Sequence, residues 1–467
     1  MLPPPKFRPA DHLIRRVSSA ILAVSCVAGC GAEPNKSASP TKPPNVIVVV
    51  VDTLRADRTS LQGAQRPTTP FLERLARDSV VFDRASSQSA CTYPSVNSLL
   101  TSRYPFRFYS PDDQFMGIPG DVPSMAELFG AAGYRTAAIS ASPIVRATPS
   151  QHNPGGGFGA GFEIFDESCL WRDASCVNAR AVDVLSQLDE PFLLYLHYMD
   201  PHGPYSPPKS HPRIFTGGYD GPEFIAAGSF KPIAAMLYRD GPPVEFTDAD
   251  IAHLLDLYDE EISYFDSRFE KLLAQLSADG VLDRSMLVVT SDHGEEFMEH
   301  GHVGHCRGVW TTLTWVPLLF RGPGIQGGRR IASAMEHVHV LPTLLDLADI
   351  EHDASALRGQ SWRDVLTGAD PSPTALTYTD QTYYRGVDDG RYHLIFDAQG
   401  PEFHLFEPAV DPLELHDLFG PDHPGALRLQ EALGLWMRET GQWGLLDQAL
   451  ASAAKKQEML RALGYLE

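Results

Sequence analysis

The sequence predicts an α/β protein: a large, mostly parallel sheet flanked by helices, followed by a smaller antiparallel α+β subdomain. Three observations predict this. Asn45 to Val51 reads Asn-Val-Ile-Val-Val-Val-Val, a β-branched run without polar alternation, as suits a strand covered on both faces. Apolar runs of strand length then alternate with amphipathic segments as far as about Leu366, the signature of repeated strand–helix–strand units. Beyond that point the apolar runs shorten and Asp-Asp-Gly and Gln-Gly turns separate them, as in an antiparallel meander.

The chain opens with a basic stretch (Lys6, Arg8, Arg15 and Arg16) and an apolar run from Val17 to Gly29. That run is shorter than the ~20 residues a bilayer-spanning helix needs and fits the core of a signal peptide. It ends Val27-Ala28-Gly29-Cys30. Small residues before a cysteine resemble the bacterial lipoprotein signal, which implies lipidation at Cys30, export and anchoring in the cell envelope. An ordinary signal peptide with a chance cysteine is the other reading. Residues 1–30 are thus read as signal, and 31–44, rich in Pro, Ser, Lys and Ala, as a flexible tether.

The folded part is read as a catalytic domain over 45–370 and a C-terminal subdomain over 371–467. The first strand, Asn45 to Val51, stops at Asp52. Thr69 and Pro70 fit an N-cap and first helical residue, with Phe71, Leu72, Leu75 and Ala76 at helical spacing. Ser124 to Ala132 reads as a helix and Tyr134 to Ser140 as a strand. Phe192 to Leu196 is a strand that ends near His197, Asp200 and His202. Asp248 to Leu276 is a long amphipathic helix. Met286 to Thr290 is a strand running into Ser291-Asp292-His293-Gly294, and Val316 to Phe320 is another. In the subdomain, Ala375 to Tyr378, Arg391 to Phe396 and Phe403 to Phe406 read as strands and Leu427 to Thr440 as a helix. Ligands of parallel sheets sit outside the carboxyl ends of the strands. Asp52, His202 and Asp292-His293 all follow predicted strands, so three separate segments deliver metal-type ligands to one rim.

Bulk composition narrows the partners. At 467 residues the chain exceeds one small core, and 43% hydrophobic with 21% charged residues is ordinary for a globular protein. A formal net charge of −21 repels polyanions and excludes a nucleic-acid partner. Of the six cysteines, Cys26 and Cys30 fall in the signal. Cys169 and Cys176 are close enough in sequence for a local disulfide in an oxidising compartment, and no CxxC pair suggests a zinc ribbon.

Residues 90–105 carry the chemistry: Ala-Cys-Thr-Tyr-Pro-Ser-Val-Asn-Ser-Leu-Leu-Thr-Ser-Arg-Tyr-Pro. A reactive side chain precedes a proline at a helix start, and Cys91 and Thr92 compete for the part. Taken with Asn45-Val-Ile-Val-Val-Val-Val-Asp-Thr-Leu-Arg-Ala-Asp, His197-Tyr-Met-Asp-Pro-His-Gly-Pro-Tyr and Ser291-Asp-His-Gly-Glu-Glu, this segment resembles the sulfatase family of the alkaline phosphatase superfamily. Val316-Pro317, Leu341-Pro342-Thr343-Leu344-Leu345, Asp389-Gly390-Arg391-Tyr392 and Leu405-Phe406 resemble it too, so the likeness runs from Asn45 to the C-terminal helix. It implies an alkaline phosphatase/sulfatase-like fold and a metal held by Asp52, Thr92, Asp292 and His293. A divalent ion would lower the pKa of a bound hydroxyl and screen an anionic ester. Carboxylates with an imidazole favour zinc or manganese, with calcium or magnesium possible. The resemblance places His202 and His305 to bind the ester, protonate the leaving group or hold a second ion, with His300, His302 and His337 as rivals of His305. Glu295 and Glu296 read as supporting or solvent-facing residues.

The departures from the family sharpen the expectation. Sulfatases carry Cys-x-Pro-x-Arg, sometimes with Ser first, and that Cys or Ser becomes formylglycine. Registered on Pro94 and Leu99-Leu100-Thr101, the nucleophile position falls at Thr92 and the arginine position at Val96, so formylglycine is not expected. Cys91 then packs behind the site. Thr53 stands where a second Asp is usual, and His293 where many members have Asn. The set resembles phosphate-handling relatives that use an unmodified threonine: lipoteichoic acid synthases, phosphoethanolamine transferases and phosphodiesterases. The expected function is a metal-dependent hydrolase of a sulfate or phosphate ester through Thr92. An envelope phosphotransferase and an inactive sulfatase-like binding protein are the alternatives. The substrate is a small-molecule, glycan or lipid ester, selected by Ala141 to Asn178 and Lys209 to Val244, with Tyr205, Trp171 and Tyr384 as candidate pocket residues.

Overall fold

The computed structural model describes residues 42–108, 117–228, 245–371, 376–400, 402–420 and 422–442. The signal, Cys30, the tether up to residue 41 and residues 229–244 of the second specificity stretch lie outside the described residues.

Eight strands form the central sheet: β1 (Asn45–Val51), β2 (Val80–Phe82), β3 (Arg135–Ser140), β4 (Ile164–Asp166), β5 (Phe192–Tyr198), β6 (Ser285–Ser291), β7 (Leu318–Arg321) and β8 (Arg329–Ile331). Their spatial order is β8-β2-β7-β6-β1-β5-β3-β4. Only β7 runs against the others, pairing antiparallel with both β6 and β2. β1 lies between β5 and β6, in parallel register from Val46↔Leu193 to Val51↔Tyr198 on one side and from Asn45↔Ser285 to Val51↔Ser291 on the other. The three strand ends that carry polar residues are therefore neighbours. The expected α/β class holds.

The β-branched run forms a strand because helices cover both of its faces. Ile47, Val49 and Val51 join one apolar cluster with Leu72 of α1 (Pro70–Leu75), Val177 and Ala181 of α4 (Ala174–Leu185) and the inner face of α5 (Asp248–Ala278). Val46, Val48 and Val50 join a second with Val96 and Leu99 of α2 (Thr92–Thr101), Phe129 of α3 (Met125–Ala131) and Leu344 of α6 (Val340–Leu347). Every β1 side chain from Val46 to Val51 is fully buried. At ~1.5–3 kcal/mol for each buried aliphatic side chain, this strand supplies a large share of the core's cohesion. The long helix α5 starts with a capping box: the Thr247 hydroxyl accepts the Asp250 N–H, and the Asp250 carboxylate accepts the Thr247 N–H.

Past Leu366, β9 (Thr377–Gln381), β10 (Tyr384–Asp388), β11 (His393–Asp397) and β12 (Glu402–Phe406) form a sequential antiparallel sheet. Helix α7 (Pro424–Glu439) packs Leu429, Leu433 and Trp436 against Leu394, Phe396 and Leu405. Several elements were absent from the sequence reading, among them β2, β4, β8 and α4. β10 is an additional strand where a turn region was expected. β5 continues two residues past Leu196, through His197 to Tyr198. Among the described residues no helix is long and apolar enough to cross a membrane.

Among the described residues two disulfides are present. Cys169 pairs with Cys176, as the spacing allows. Cys91 pairs with Cys306 across 215 residues, so it is not merely a packing neighbour.

Candidate metal centre and active site

The rim at the carboxyl ends of β1, β5 and β6 gathers the chemistry. Asp52 is the first residue after β1, Asp292 and His293 follow β6, and His197 is the sixth residue of β5. Thr92 is the first residue of α2, whose N-cap position is the extended Cys91 (φ −138°, ψ 144°). Pro94 is tolerated there because first-turn N–H groups lack helical partners. The Ser95 hydroxyl donates to the Asp292 carbonyl and ties the start of α2 to the β6 loop.

All these groups are buried, and their atoms converge. His197 Nε2 lies 3.1 Å from Asp52 Oδ2, while His197 Nδ1 meets the Tyr195 hydroxyl at 2.8 Å. Asp292 Oδ1 accepts the Thr53 N–H at 3.1 Å and the His293 N–H at 2.9 Å. His293 Nδ1 lies 2.9 Å from the Gly294 carbonyl. A carbonyl only accepts, so Nδ1 carries the proton and Nε2 is bare. That bare nitrogen stands 3.2 Å from Thr92 Oγ1, 3.5 Å from Asp292 Oδ2 and 4.0 Å from Asp52 Oδ1.

Two oxygens in this cluster, Asp52 Oδ1 and Asp292 Oδ2, are buried without a hydrogen-bond partner. Uncompensated buried carboxylates cost several kcal/mol, on the order of 3–5 when one partner of a buried pair is missing. Burial and the Asp52 charge push the Asp292 carboxyl well above the usual range. Burial acts the same way on Asp52, but the neighbouring His202 and the hydrogen bond to His197 outweigh it and hold Asp52 far down. Burial and the neighbouring His305 push His293 down to about 3, which keeps it neutral and able to donate its lone pair. The ligand atoms of Asp52, His197 and Asp292 lie within 4.8 Å of one another. Donors ~2.0–2.2 Å from a common ion sit about that far apart or less. Two carboxylates balance a divalent charge, and neutral imidazole completes a set of zinc or manganese type. The residues present fit such an ion.

A second group lies beside this one. His305 Nδ1 is 2.8 Å from Glu295 Oε1, and the Tyr205 hydroxyl donates to Glu295 Oε2 at 3.0 Å. Burial pulls the His305 imidazole down, but the charge and hydrogen bond of Glu295 prevail and raise it. The His305 ring centroid is 4.5 Å from that of His293 and 5.2 Å from that of His202. His202 Nδ1 meets the Gly203 carbonyl at 2.6 Å, so Nδ1 carries a proton. The rival histidines are engaged elsewhere. His300 and His302 both pair with Glu296, and His337 Nε2 contacts the Thr290 hydroxyl at 2.9 Å. Glu295 and Glu296 are therefore buried partners of histidines, and neither faces solvent.

The structure thus brings Asp52, Thr92, Asp292, His293, His202 and His305 together and adds His197, which sequence reasoning passed over. The signal was present: in register with β1, His197 pairs with Val50 and shares the face of Asp52 two residues on. Thr53 has φ 59°, a left-handed conformation unusual for a β-branched residue, and its buried Oγ1 has no hydrogen-bond partner. The Cys91–Cys306 bond lies at the centre of this arrangement, since Cys91 precedes Thr92 and Cys306 follows His305. Gln381 Nε2 lies 3.3 Å from Cys91 Sγ and 3.4 Å from the Cys306 carbonyl, bringing β9 against the site. Of the three candidate pocket residues, Tyr205 is buried against Glu295, Tyr384 packs on Trp310 at 5.8 Å, and Trp171 is 45% exposed with its ring 5.8 Å from that of His202.

Comparison with known proteins gives the family and the fold. The family model described as Sulfatase matches residues 44–350. The Ulvan-active sulfatase of Formosa agariphila is 24% identical, over 82% of this chain and 78% of its own. The choline-sulfatase of Rhizobium meliloti is also 24% identical, over 81% of this chain and 83% of its own. A solved structure holding its substrate D-glucosamine-2-N,6-O-disulfate superposes with a TM-score of 0.68 at 20% identity, covering 86% of this chain and 98% of that one. The phosphonate monoester hydrolase of Agrobacterium radiobacter superposes at 0.67 with 20% identity, covering 84% and 95%.

Proposed function

Since this chain belongs to the sulfatase family, we propose that it hydrolyses sulfate or phosphate esters at the rim of the central sheet, with unmodified Thr92 as the nucleophile. The observation that carries the reading is the pair of unpartnered buried oxygens on Asp52 and Asp292, set beside the Thr92 hydroxyl. Asp52, Asp292, His197 and His293 would hold a divalent ion, with Thr92 Oγ1 beside them. When bound, that ion lowers the pKa of a neighbouring hydroxyl and offsets the charge of the incoming ester. Thr92 Oγ1 passes its proton to solvent water and forms a bond to phosphorus or sulfur as the bond to the leaving oxygen breaks. His305, held by Glu295 through Nδ1, gives its Nε2 proton to that oxygen. His202 contacts the transferring group. Water then attacks the threonine ester and gives a proton to His305, and the departing Thr92 oxygen takes a proton from solvent to restore the hydroxyl.

Cys91 is unsuited to formylglycine formation because its sulfur is spent on Cys306. A plain threonine ester lacks the elimination route open to a formylglycine hydrate. That favours phosphate or phosphonate over sulfate, since water can open a phosphothreonine by displacement at phosphorus. The relatives named as sulfatases favour sulfate. Thr92→Ala should abolish turnover of matched aryl sulfate, phosphate monoester, phosphodiester and phosphonate substrates, while Thr92→Ser keeps measurable activity. Full retention in Thr92→Ala would refute the assignment. We also place the protein in the bacterial cell envelope, anchored through Cys30. The Val27-Ala28-Gly29-Cys30 sequence and the two disulfides support an oxidising, exported setting.

A further inference from the structure

We propose that Gln381 is a positioning residue, through which the C-terminal subdomain sets Thr92 and His305 against one another. This rests on the ester-hydrolase reading above and adds a residue to its machinery. Gln381 is the last residue of β9 and only 3% exposed, so its amide has exchanged water for partners inside the protein. Those partners are the two segments that carry the reacting groups. The Cys306 carbonyl only accepts, so the amide NH2 faces it, and the same nitrogen lies 3.3 Å from Cys91 Sγ. Oε1 is thereby turned to Ser89, whose hydroxyl donates to it. One side chain from the subdomain touches the residue before Thr92, the residue after His305 and the approach to Thr92 three residues upstream.

The backbone repeats the link. The Asp380 N–H donates to the Gln88 carbonyl at 2.8 Å, and the Cys306 N–H donates to the Ala90 carbonyl at 2.9 Å. The stretch leading to Thr92 is therefore tied to β9 at Gln88 and to the His305 segment at Ala90. Cys306 has φ 70°, a left-handed conformation that a non-glycine residue keeps only where its surroundings hold it. Ala90 holds its N–H and Gln381 its carbonyl, so the backbone next to His305 is fixed on both sides. The disulfide limits how far Cys91 and Cys306 can part, while the amide sets the orientation of the Cys306 peptide group. Glu295 then fixes the His305 ring through Nδ1. A shift of ~1 Å between nucleophile and proton donor costs on the order of 100-fold in rate.

Gln381→Met removes the hydrogen-bonding atoms at nearly constant volume. Two measurements follow its effect. The first needs no turnover. Folded wild type and variant are equilibrated in glutathione buffers, where two glutathione thiols reduce one protein disulfide and become glutathione disulfide, and each cysteine pair is read by alkylation and mass spectrometry. The equilibrium constant for closing Cys91–Cys306 should fall on the order of tenfold in the variant, while that for Cys169–Cys176 stays unchanged. An unchanged Cys91–Cys306 constant overturns the proposal. Both constants falling together would show a lost fold; Ser89→Ala, which removes only the donor to Oε1, then decides. A fall confined to Cys91–Cys306 in that variant supports the proposal, and no change overturns it.

The second measurement uses phenyl and para-nitrophenyl phosphates and the matched sulfates. In Gln381→Met, kcat should fall at least ~10-fold more on the phenyl ester, whose oxygen needs the His305 proton, than on the para-nitrophenyl ester, with KM little changed. Equal losses on the two esters would mark Gln381 as a packing residue and overturn the proposal. Turnover surviving in Thr92→Ala would sink the nucleophile assignment instead, and the glutathione comparison would still decide whether Gln381 holds the two segments in register.

Discussion

Replacing Asp200 by Asn should remove most of a pH dependence from the stability of this protein. Asp200 lies between β5 and His202, is almost fully buried, and hydrogen-bonds with the equally buried Glu261 of α5. It also accepts the Ala174 N–H at 2.8 Å, at the start of α4. Burial, with the charge of Asp173 adding to it, pushes the Asp200 carboxyl up from 3.8 to about 7. The folded chain therefore keeps a proton that the unfolded chain releases across that interval. When the folded state binds more protons, stability falls as pH rises, so the loss begins near 3.8 and is complete above about 7. At 1.36 kcal/mol for each pH unit, the interval corresponds to at most ~4 kcal/mol. Asn keeps the acceptor for Ala174 and a donor for Glu261 but has no charge to bury. Urea unfolding at pH 5 and pH 7.5 should show the variant gaining ~2–3 kcal/mol over wild type between the two conditions. Parallel curves for the two proteins would refute the reasoning.

Three further outcomes are expected. His197→Ala should lower bound divalent metal, read by elemental analysis after dialysis, and reduce turnover by at least ~10-fold, because Asp52 loses its nearest partner. Glu295→Gln should cut kcat roughly a hundredfold with a small change in KM, since the His305 ring loses the carboxylate that orients it; an unchanged kcat would remove His305 from the acid role. Thr247→Ala should cost ~1 kcal/mol in thermal unfolding by opening the capping box of α5.

The parts of the site legible in the sequence were those where a residue must follow a strand. A run as apolar as Asn45–Val51 can only be buried, so the first polar residue after it, Asp52, had to lie at a sheet rim. Asp292 and His293 were readable for the same reason, and Thr92 from its register against Pro94. His197 was not legible because polarity was taken as the end of β5, whereas the strand carries the imidazole inward to Asp52. Strand β10 was hidden by Gly386, which argues against a strand by propensity. A Cβ there would stand 2.3 Å from the Thr379 hydroxyl and 2.8 Å from His393 Nε2, so close approach between strands requires glycine. The opposite direction of β7 and the pairing of Cys91 with Cys306 depend on tertiary closure, which leaves no periodic trace.

That last bond sets an order of events. It clips a loop of more than 200 residues, a constraint of ~4–5 kcal/mol on the unfolded chain in the chain-entropy account, and it joins the two residues next to Thr92 and His305. Without the bond, the segments that carry Thr92 and His305 are joined only through non-covalent contacts. The tie forms by an oxidation, so the reduced chain lacks this covalent link between the Thr92 and His305 segments. Newly made protein held under thiol reductant should bind metal yet turn over slowly. Its activity should then rise with the seconds-to-hours kinetics of disulfide formation once the reductant is withdrawn.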